Sequence, residues 1–203
     1  MDRIRHWEDI YQSKIATEVS WYEPVPKQSL DLILSTAIDT RGRIVDVGGG
    51  QSFLVDQLLD RGFATVTVLD ISRTALEATR ERMGSRADKV TWITTDITNT
   101  ESIGTYDLWH DRAVLHFLTD PIDRRNYVAL LQKTLPVGGH FIIGTFAKGG
   151  AERCSGLEIQ QYDDTSMQEL LGREFQPIRS LDYLHTTPSG KVQKFFFGIY
   201  RRI

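Results

Sequence analysis

Cysteine is nearly absent: Cys154 is the only one in 203 residues. That excludes an internal disulfide framework and leaves no thiolate cluster to hold zinc or an iron–sulfur centre, so a reducing, cytoplasmic setting is expected. Long apolar runs are lacking too. No stretch approaches the roughly 20 residues that cross a bilayer. Met1 to Tyr11 is charged and sets Trp7 and Ile10 among polar residues, which excludes a secretory signal. An excess of one charge sign is also missing. The 24 Lys and Arg against 27 Asp and Glu leave a formal net charge of -3. No polybasic field therefore marks nucleic acid or an anionic membrane as a partner, and the pair Arg201 and Arg202 is too short to make one. Internal repeats, low-complexity tracts and linkers are absent as well. The remaining composition, 40% hydrophobic and 25% charged, is ordinary for a globular chain, and this length predicts one domain.

What is present is an alternation. From Arg43 to Arg202 short runs rich in Val, Ile, Leu, Phe and Trp alternate with amphipathic segments, the order of a parallel sheet covered by helices. Strands are predicted over Arg43 to Val47, Thr65 to Leu69, Val90 to Thr94, Tyr106 to His110 and His140 to Thr145. Their apolar content suits burial on both faces. Helices are predicted over Ser52 to Arg61, Ser72 to Met83 and Asp123 to Leu135, the last stopped by Pro136, Gly138 and Gly139. Before the first strand, Ile4 to Gln12 and Lys27 to Ala37 read as helices. The Trp21 to Pro26 segment between them cannot continue a helix, because Pro24 and Pro26 interrupt it. After the fifth strand come a loop from Ala147 to Gln161, a short helix from Thr165 to Leu171, and segments Ile178 to His185 and Val192 to Arg201. Thr187-Pro188-Ser189-Gly190 between those last two predicts a terminal antiparallel hairpin.

The chemistry starts at Val45-Asp46-Val47-Gly48-Gly49-Gly50, where a strand runs through a glycine turn into a helix. Glycines let the backbone turn tightly and approach a ligand, and a helix start offers unpaired N–H groups. A turn of this kind alone is also compatible with no ligand. Spacing adds to it. Asp70 ends the second strand, where nucleotide-binding α/β folds place a ribose-binding acid about 20 residues after the glycines. Asp96 ends the third. In an open parallel sheet, ligands lie beyond the carboxyl ends of the strands, so these elements point into one crevice. Phe53 stands where a dinucleotide fingerprint needs its third glycine, and Asp46 beside the turn suits a cation better than an anion.

Val45 to Gly50, Asp70, Asp96-Ile97, Tyr106-Asp107-Leu108-Trp109-His110-Asp111 and Leu135-Pro136-Val137-Gly138-Gly139-His140 together resemble, in order, the motifs of the class I or seven-β-strand methyltransferases that use S-adenosylmethionine. The resemblance covers about Arg43 to Ala147. It implies a doubly wound, Rossmann-like α/β sheet of seven strands in the order 3-2-1-4-5-7-6 with strand 7 antiparallel. It implies N-terminal helices and a lid over residues 1–40, a cofactor-binding core over 43–147, and a loop, helix and terminal hairpin over 148–203. By the same resemblance Gly48 and Gly50 border the methionine moiety with Asp46 near its ammonium. Asp70 takes the ribose hydroxyls with Ile71 beside it, Asp96 meets the adenine amino group, and Ile97 packs on the ring. His110 is either a satisfied strand residue or a further cofactor contact.

The acceptor side is expected around the end of the fourth strand. Asp111 and His116 are candidates to orient or deprotonate an acceptor, and Arg112 to pair with an acidic one; Asp111 and Arg112 also suit the role of capping the next helix. His6-Trp7-Glu8 and Ser20-Trp21-Tyr22-Glu23 resemble cofactor-covering lids of small relatives and equally suit aromatic packing on the sheet. Tyr22 is expected to share one pocket with Asp111, Arg112 and His116. No role is assigned to Glu152 to Leu157. The function implied is methyl transfer to nitrogen or oxygen of a small molecule or a protein side chain, without nucleic-acid or membrane partners and without a metal. The alternatives are a nicotinamide-dependent oxidoreductase, which shares the glycine turn and Asp70, and a non-catalytic S-adenosylmethionine-binding protein.

Overall fold

The computed structural model describes residues 2–13 and 16–203; residues 1, 14 and 15 of the expected N-terminal segment lie outside that description. Its helices are α1 (Arg3–Ser13), α2 (Lys27–Ser35), α3 (Leu54–Asp60), α4 (Arg73–Met83), α5 (Pro121–Thr134) and α6 (Asp164–Leu171). Its strands are β1 (Arg43–Val47), β2 (Thr65–Asp70), β3 (Val90–Thr94), β4 (Leu108–Arg112), β5 (His140–Phe146), β6 (Arg153–Cys154), β7 (Leu157–Glu158), β8 (Phe175–Thr186) and β9 (Val192–Arg202). The main sheet runs β3-β2-β1-β4-β5-β9-β8, with β9 antiparallel to both neighbours. With the two-residue strands β6 and β7 set aside, this is the expected 3-2-1-4-5-7-6 order.

Alternation along the strands divides the core. Val45, Val47, Leu69, Trp109, Phe141 and Ile143 pack with α5 and α6 on one face, and Ile44, Val66, Val68, Leu108 and Ile142 with α2, α3 and α4 on the other. The strands therefore bury both faces, the condition under which a parallel sheet is stable. Local signals set the helix ends. The Ser72 side chain accepts from Ala75 N–H at the start of α4, Asp120 caps α5 with Pro121 in its first turn, and Asp163 and Ser166 form a reciprocal capping box on α6.

Several element bounds shift by two or three residues, as at the starts of α3, α5 and β8, and two differences lie near the strand ends that build the site. Strand β4 lies two residues further on than Tyr106 to His110, because Asp107 is spent earlier, accepting from the Arg43 amide and guanidinium. Pairing with β1 and β5 then carries the strand on through Asp111 and Arg112. The loop after β5 contains the β6–β7 ribbon, turned at Ser155 and Gly156, both at positive φ (51° and 79°). Two positive-φ residues suit the right-handed twist of a two-residue hairpin.

One polar network interrupts the apolar face that packs on α5. The Tyr127 hydroxyl donates to Asp111 Oδ2 at 2.7 Å and accepts from Trp109 Nε1 at 3.1 Å, all three side chains being buried. Tyr127→Phe leaves both partners short of a bond. It is expected to cost roughly 1–3 kcal/mol, read by thermal unfolding as a Tm lower by roughly 2–4 °C per kcal/mol for a chain of this size. A wild-type Tm would show that the network contributes nothing.

Candidate active site

The carboxyl ends of β1 to β5 and the start of β9 open into one cleft of about 850 Å³, its mouth included. Gly48 forms its floor where β1 ends. The Gly48 and Gly49 amides donate to the Leu69 carbonyl at 2.7 and 3.2 Å, tying the turn to β2. Gly48 has φ +71°, and a Cβ on it would stand 2.0 Å from Val114 Cγ2. The turn thus needs glycine for two reasons, backbone conformation and the side chain of Val114 packed on it.

Asp70 closes β2 at the cleft wall, 5% exposed, with Oδ1 accepting from Ser72 N–H at 2.8 Å. Burial, with the like charge of Asp46 adding to it, pushes its carboxyl up to about 7 despite the amide bonds that oppose the shift. Asp96 follows β3. Its Oδ1 accepts from the Thr98 amide and hydroxyl at 2.9 and 2.7 Å, and its Oδ2 lies 3.2 Å from Asn99 Nδ2 and 3.7 Å from Arg3. Ile71 and Ile97 line the same wall.

Asp46 and His110, neighbours across β1 and β4, are both buried and paired Oδ1 to Nδ1 at 2.7 Å. They face a smaller cavity behind Gly48 rather than the main cleft, which also settles the surroundings of His110: one nitrogen on Asp46, and Nε2 with no partner among the described residues. Gly50 lines neither cavity. It lies beneath α1, where a Cβ would sit 2.8 Å from the Tyr11 hydroxyl and 3.0 Å from Asp70 Oδ2.

The N-terminal segment roofs the cleft. Glu8 on α1 accepts from the Arg73 and Thr74 amides at 2.6 and 3.3 Å, capping α4 from another helix. Arg3 bonds Thr98 and pairs with Asp123. Trp7 packs edge-on against Phe117 at 4.8 Å and Trp21 at 6.0 Å. Further along, Arg112 donates to the Trp21 carbonyl at 3.1 Å and lies 3.4 Å from Glu23.

Of the four residues expected around the acceptor, the structure brings two into the cleft, Arg112 and His116. Tyr22 turns away and packs edge-on against Phe53 at 6.1 Å; Trp21, the residue before it, enters the cleft instead. Asp111 is also corrected. It faces α5, its Oδ1 accepts from Val114 N–H at 2.9 Å, and its Oδ2 accepts from Leu115 N–H at 3.2 Å and from Tyr127. Every near donor is structural, so it caps the turn after β4, the other role its position allowed. Burial pushes its carboxyl up to about 6, and the same burial lowers His116 to about 3, a neutral imidazole.

Residues unmarked in the sequence complete the cleft: Tyr11 beside Asp70, and Phe146, Gln193 and Phe195 at the far end. The last two lie on β9. The only signal that could have brought them in is the strand order, which sets the final strand beside β5.

Comparison with known proteins adds an independent observation. Residues 45–141, from the strand before the glycine turn to the start of β5, match the family model described as a methyltransferase domain. That stretch, just under half of the chain, is similar to a methyltransferase domain. The chain is 28% identical over 152 residues to the mouse (Mus musculus) eEF1A lysine and N-terminal methyltransferase, covering 70% of this chain and 21% of that protein. It is 32% identical over 136 residues to the ubiquinone biosynthesis O-methyltransferase of Vibrio parahaemolyticus, covering 61% of this chain and 56% of that one. The chain thus spans about a fifth and just over half of these relatives' lengths. The fold is shared with the N-methyltransferase NodS from Bradyrhizobium japonicum WM9, solved with S-adenosyl-L-homocysteine, at TM-score 0.73, 16% identity and coverage of 96% and 97% of the two chains.

Asp70 makes a prediction about pH. A carboxyl that holds its proton more tightly folded than unfolded contributes stability that is full below its ordinary value of about 4 and lost as pH rises through the folded value. Here that window is pH 4 to about 7. Asp70→Asn, which cannot ionise, is therefore expected to gain Tm relative to the wild type between pH 5 and pH 8. A Tm difference independent of pH would place Asp70 outside this environment.

Proposed function

We propose that this domain binds S-adenosylmethionine in the main cleft and transfers its methyl group to a nitrogen or oxygen of a small-molecule or protein acceptor. The observation that carries the reading is the single cleft into which β1, β2 and β3 deliver Gly48, Asp70 and Asp96 at their carboxyl ends.

The residues present fit that cofactor. Asp70 has one oxygen on the Ser72 amide, and burial strips its carboxylate of water, so donated bonds from ribose hydroxyls would replace the solvation it lacks. Ile71 and Ile97 supply apolar surface for an adenine ring, and Asp96, partly engaged by Thr98 and Asn99, an acceptor at its edge. Gly48 admits the backbone approach of the methionine part, while Asp46, fixed by His110, sets a negative group behind the turn where an ammonium is favoured. When bound, the cofactor supplies an electrophilic methyl group on a sulfonium.

The protein's own work is to bind, align and exclude water. Trp7 and Trp21 cover the cleft, and a dry site strengthens polar contacts and favours a desolvated nucleophile. With Asp111 engaged in the turn and His116 neutral, no charged base is required of either. The relatives' names, which include lysine, N-terminal and O-methyltransferases, support both acceptor atoms. No described helix is long and apolar enough to cross a membrane; the reading extends to a cytoplasmic protein without nucleic-acid or membrane partners, supported by the net charge of -3 and the lone cysteine.

Titration calorimetry with S-adenosylhomocysteine and with NAD tests the reading. Binding of the first and not the second is expected, and Asp70→Ala should weaken it by at least tenfold, since each charge-assisted bond lost is worth roughly 1.5–3 kcal/mol. Labelled methyl transfer into cell extract, before and after removal of protein, then separates the acceptor classes. NAD binding, or wild-type affinity in folded Asp70→Ala, would overturn the assignment.

A further inference from the structure

The two ends of the cleft have unlike chemistry. Strand order sets Asp70 and Asp96 above β2 and β3, at one end. The other end, above β4, β5 and β9, is walled by Phe146 and Phe195, stacked at 4.6 Å, with Trp21 closing it from the lid.

Two side chains give that dry end its polarity. His116 is wholly buried, and neither ring nitrogen has a hydrogen-bond partner among the described residues. Its ring is held against Phe117 at 4.3 Å and Phe146 at 4.8 Å. A neutral imidazole so placed offers one donor and one acceptor. Arg112 supplies the charge. Its five N–H donors outnumber the two polar groups within ion-pair or hydrogen-bond distance among the described residues, the Trp21 carbonyl and Glu23.

Glu23 does not fully answer that charge. Its Oε1 also lies 3.0 Å from Nδ1 of His185, whose Nε2 is 2.7 Å from the Ser20 carbonyl oxygen. One carboxylate is thus shared between the Arg112 guanidinium and the His185 ring, and the charge of Asp46 reaches Arg112 only from the smaller cavity behind Gly48. Glu23 is not itself a lining residue, and no carboxylate among the described residues lines this end.

Resting on the reading that the Asp70 end holds S-adenosylmethionine, we propose that the Arg112 end takes a small carboxylate-bearing acceptor with a flat apolar body, its carboxylate on Arg112 and its nucleophilic N–H or O–H beside His116. A guanidinium fork matches a carboxylate in shape and charge, and aromatic walls match the body. An ammonium, such as a lysine side chain carries, meets a like charge there while Glu23 is already engaged by Arg112 and His185, and a dry site makes that costly.

Calorimetry on the full chain saturated with S-adenosylhomocysteine tests this with benzoate, benzyl alcohol and benzylamine, probes of one shape and three charges. Benzoate is expected to bind at least tenfold more tightly than benzyl alcohol, with benzylamine weakest. Arg112→Met should erase the benzoate preference. Glu23→Gln, which keeps the cation and removes its partner, should tighten benzoate, and it decides the matter if Arg112→Met does not fold. Benzylamine equalling benzoate, no benzoate binding in a protein that binds S-adenosylhomocysteine, or no tightening in Glu23→Gln overturns the proposal. Failure to bind S-adenosylhomocysteine overturns instead the cofactor reading beneath it.

Discussion

The carboxylate of Asp111 receives three donors: the Val114 amide, the Leu115 amide and the Tyr127 hydroxyl. Those bonds hold the turn after β4 in a shape it would not otherwise keep, with Ala113 at φ +77°, a region non-glycine residues seldom occupy. The Ala113 amide is held as well, donating to the Gly144 carbonyl of β5 at 2.9 Å. Once fixed, the turn sets Val114 against Gly48 and sends His116 and Phe117 into the cleft. The floor at the glycine turn and the wall at the acceptor end thus share one support. Its cost is a buried anion, reflected in the raised proton affinity of that carboxyl.

The roof is held differently, by ties scattered along the N-terminal segment. Glu8 caps α4, Arg3 reaches Thr98 and Asp123, Arg112 holds the Trp21 carbonyl, and His185 holds Glu23. Several of these partners also border the cleft or touch residues that do. A lid fastened this way senses what lies beneath it, because a ligand that engages Asp96 or Arg112 competes for the same side chains that keep the lid down.

Much of this was legible in the sequence where the physics is local. The strands announce themselves through β-branched and aromatic runs, and the glycine turn, Asp70 and Asp96 through their spacing, since all three follow from where a parallel strand ends. What lay beyond reach depends on direction. Tyr22 and Trp21 are adjacent and alike in composition, yet one enters the cleft and the other packs on Phe53. Asp111 and Arg112 are also adjacent, and the alternation of side chains in β4 sends them to opposite faces of the sheet. Only the pairing of β4 with β1 and β5 carries the strand past His110 and brings that alternation to bear on them. Gln193 and Phe195 carry no motif at all; only their position beside β5 gives them a part.

The two ends of the cleft also differ in how they come together in time. The glycine turn and Asp70 belong to one β1–α3–β2 unit, whereas the other end joins Trp21 to Arg112 across 91 residues and Ser20 to His185 across 165. Contacts between distant parts of a chain carry a larger closure entropy and tend to form late. A folding intermediate with its first crossovers in place would therefore have the Asp70 end of the cleft but no chamber beyond it. The Arg112 end of the cleft is, on this order of events, the last part the fold completes and the first that partial unfolding would remove.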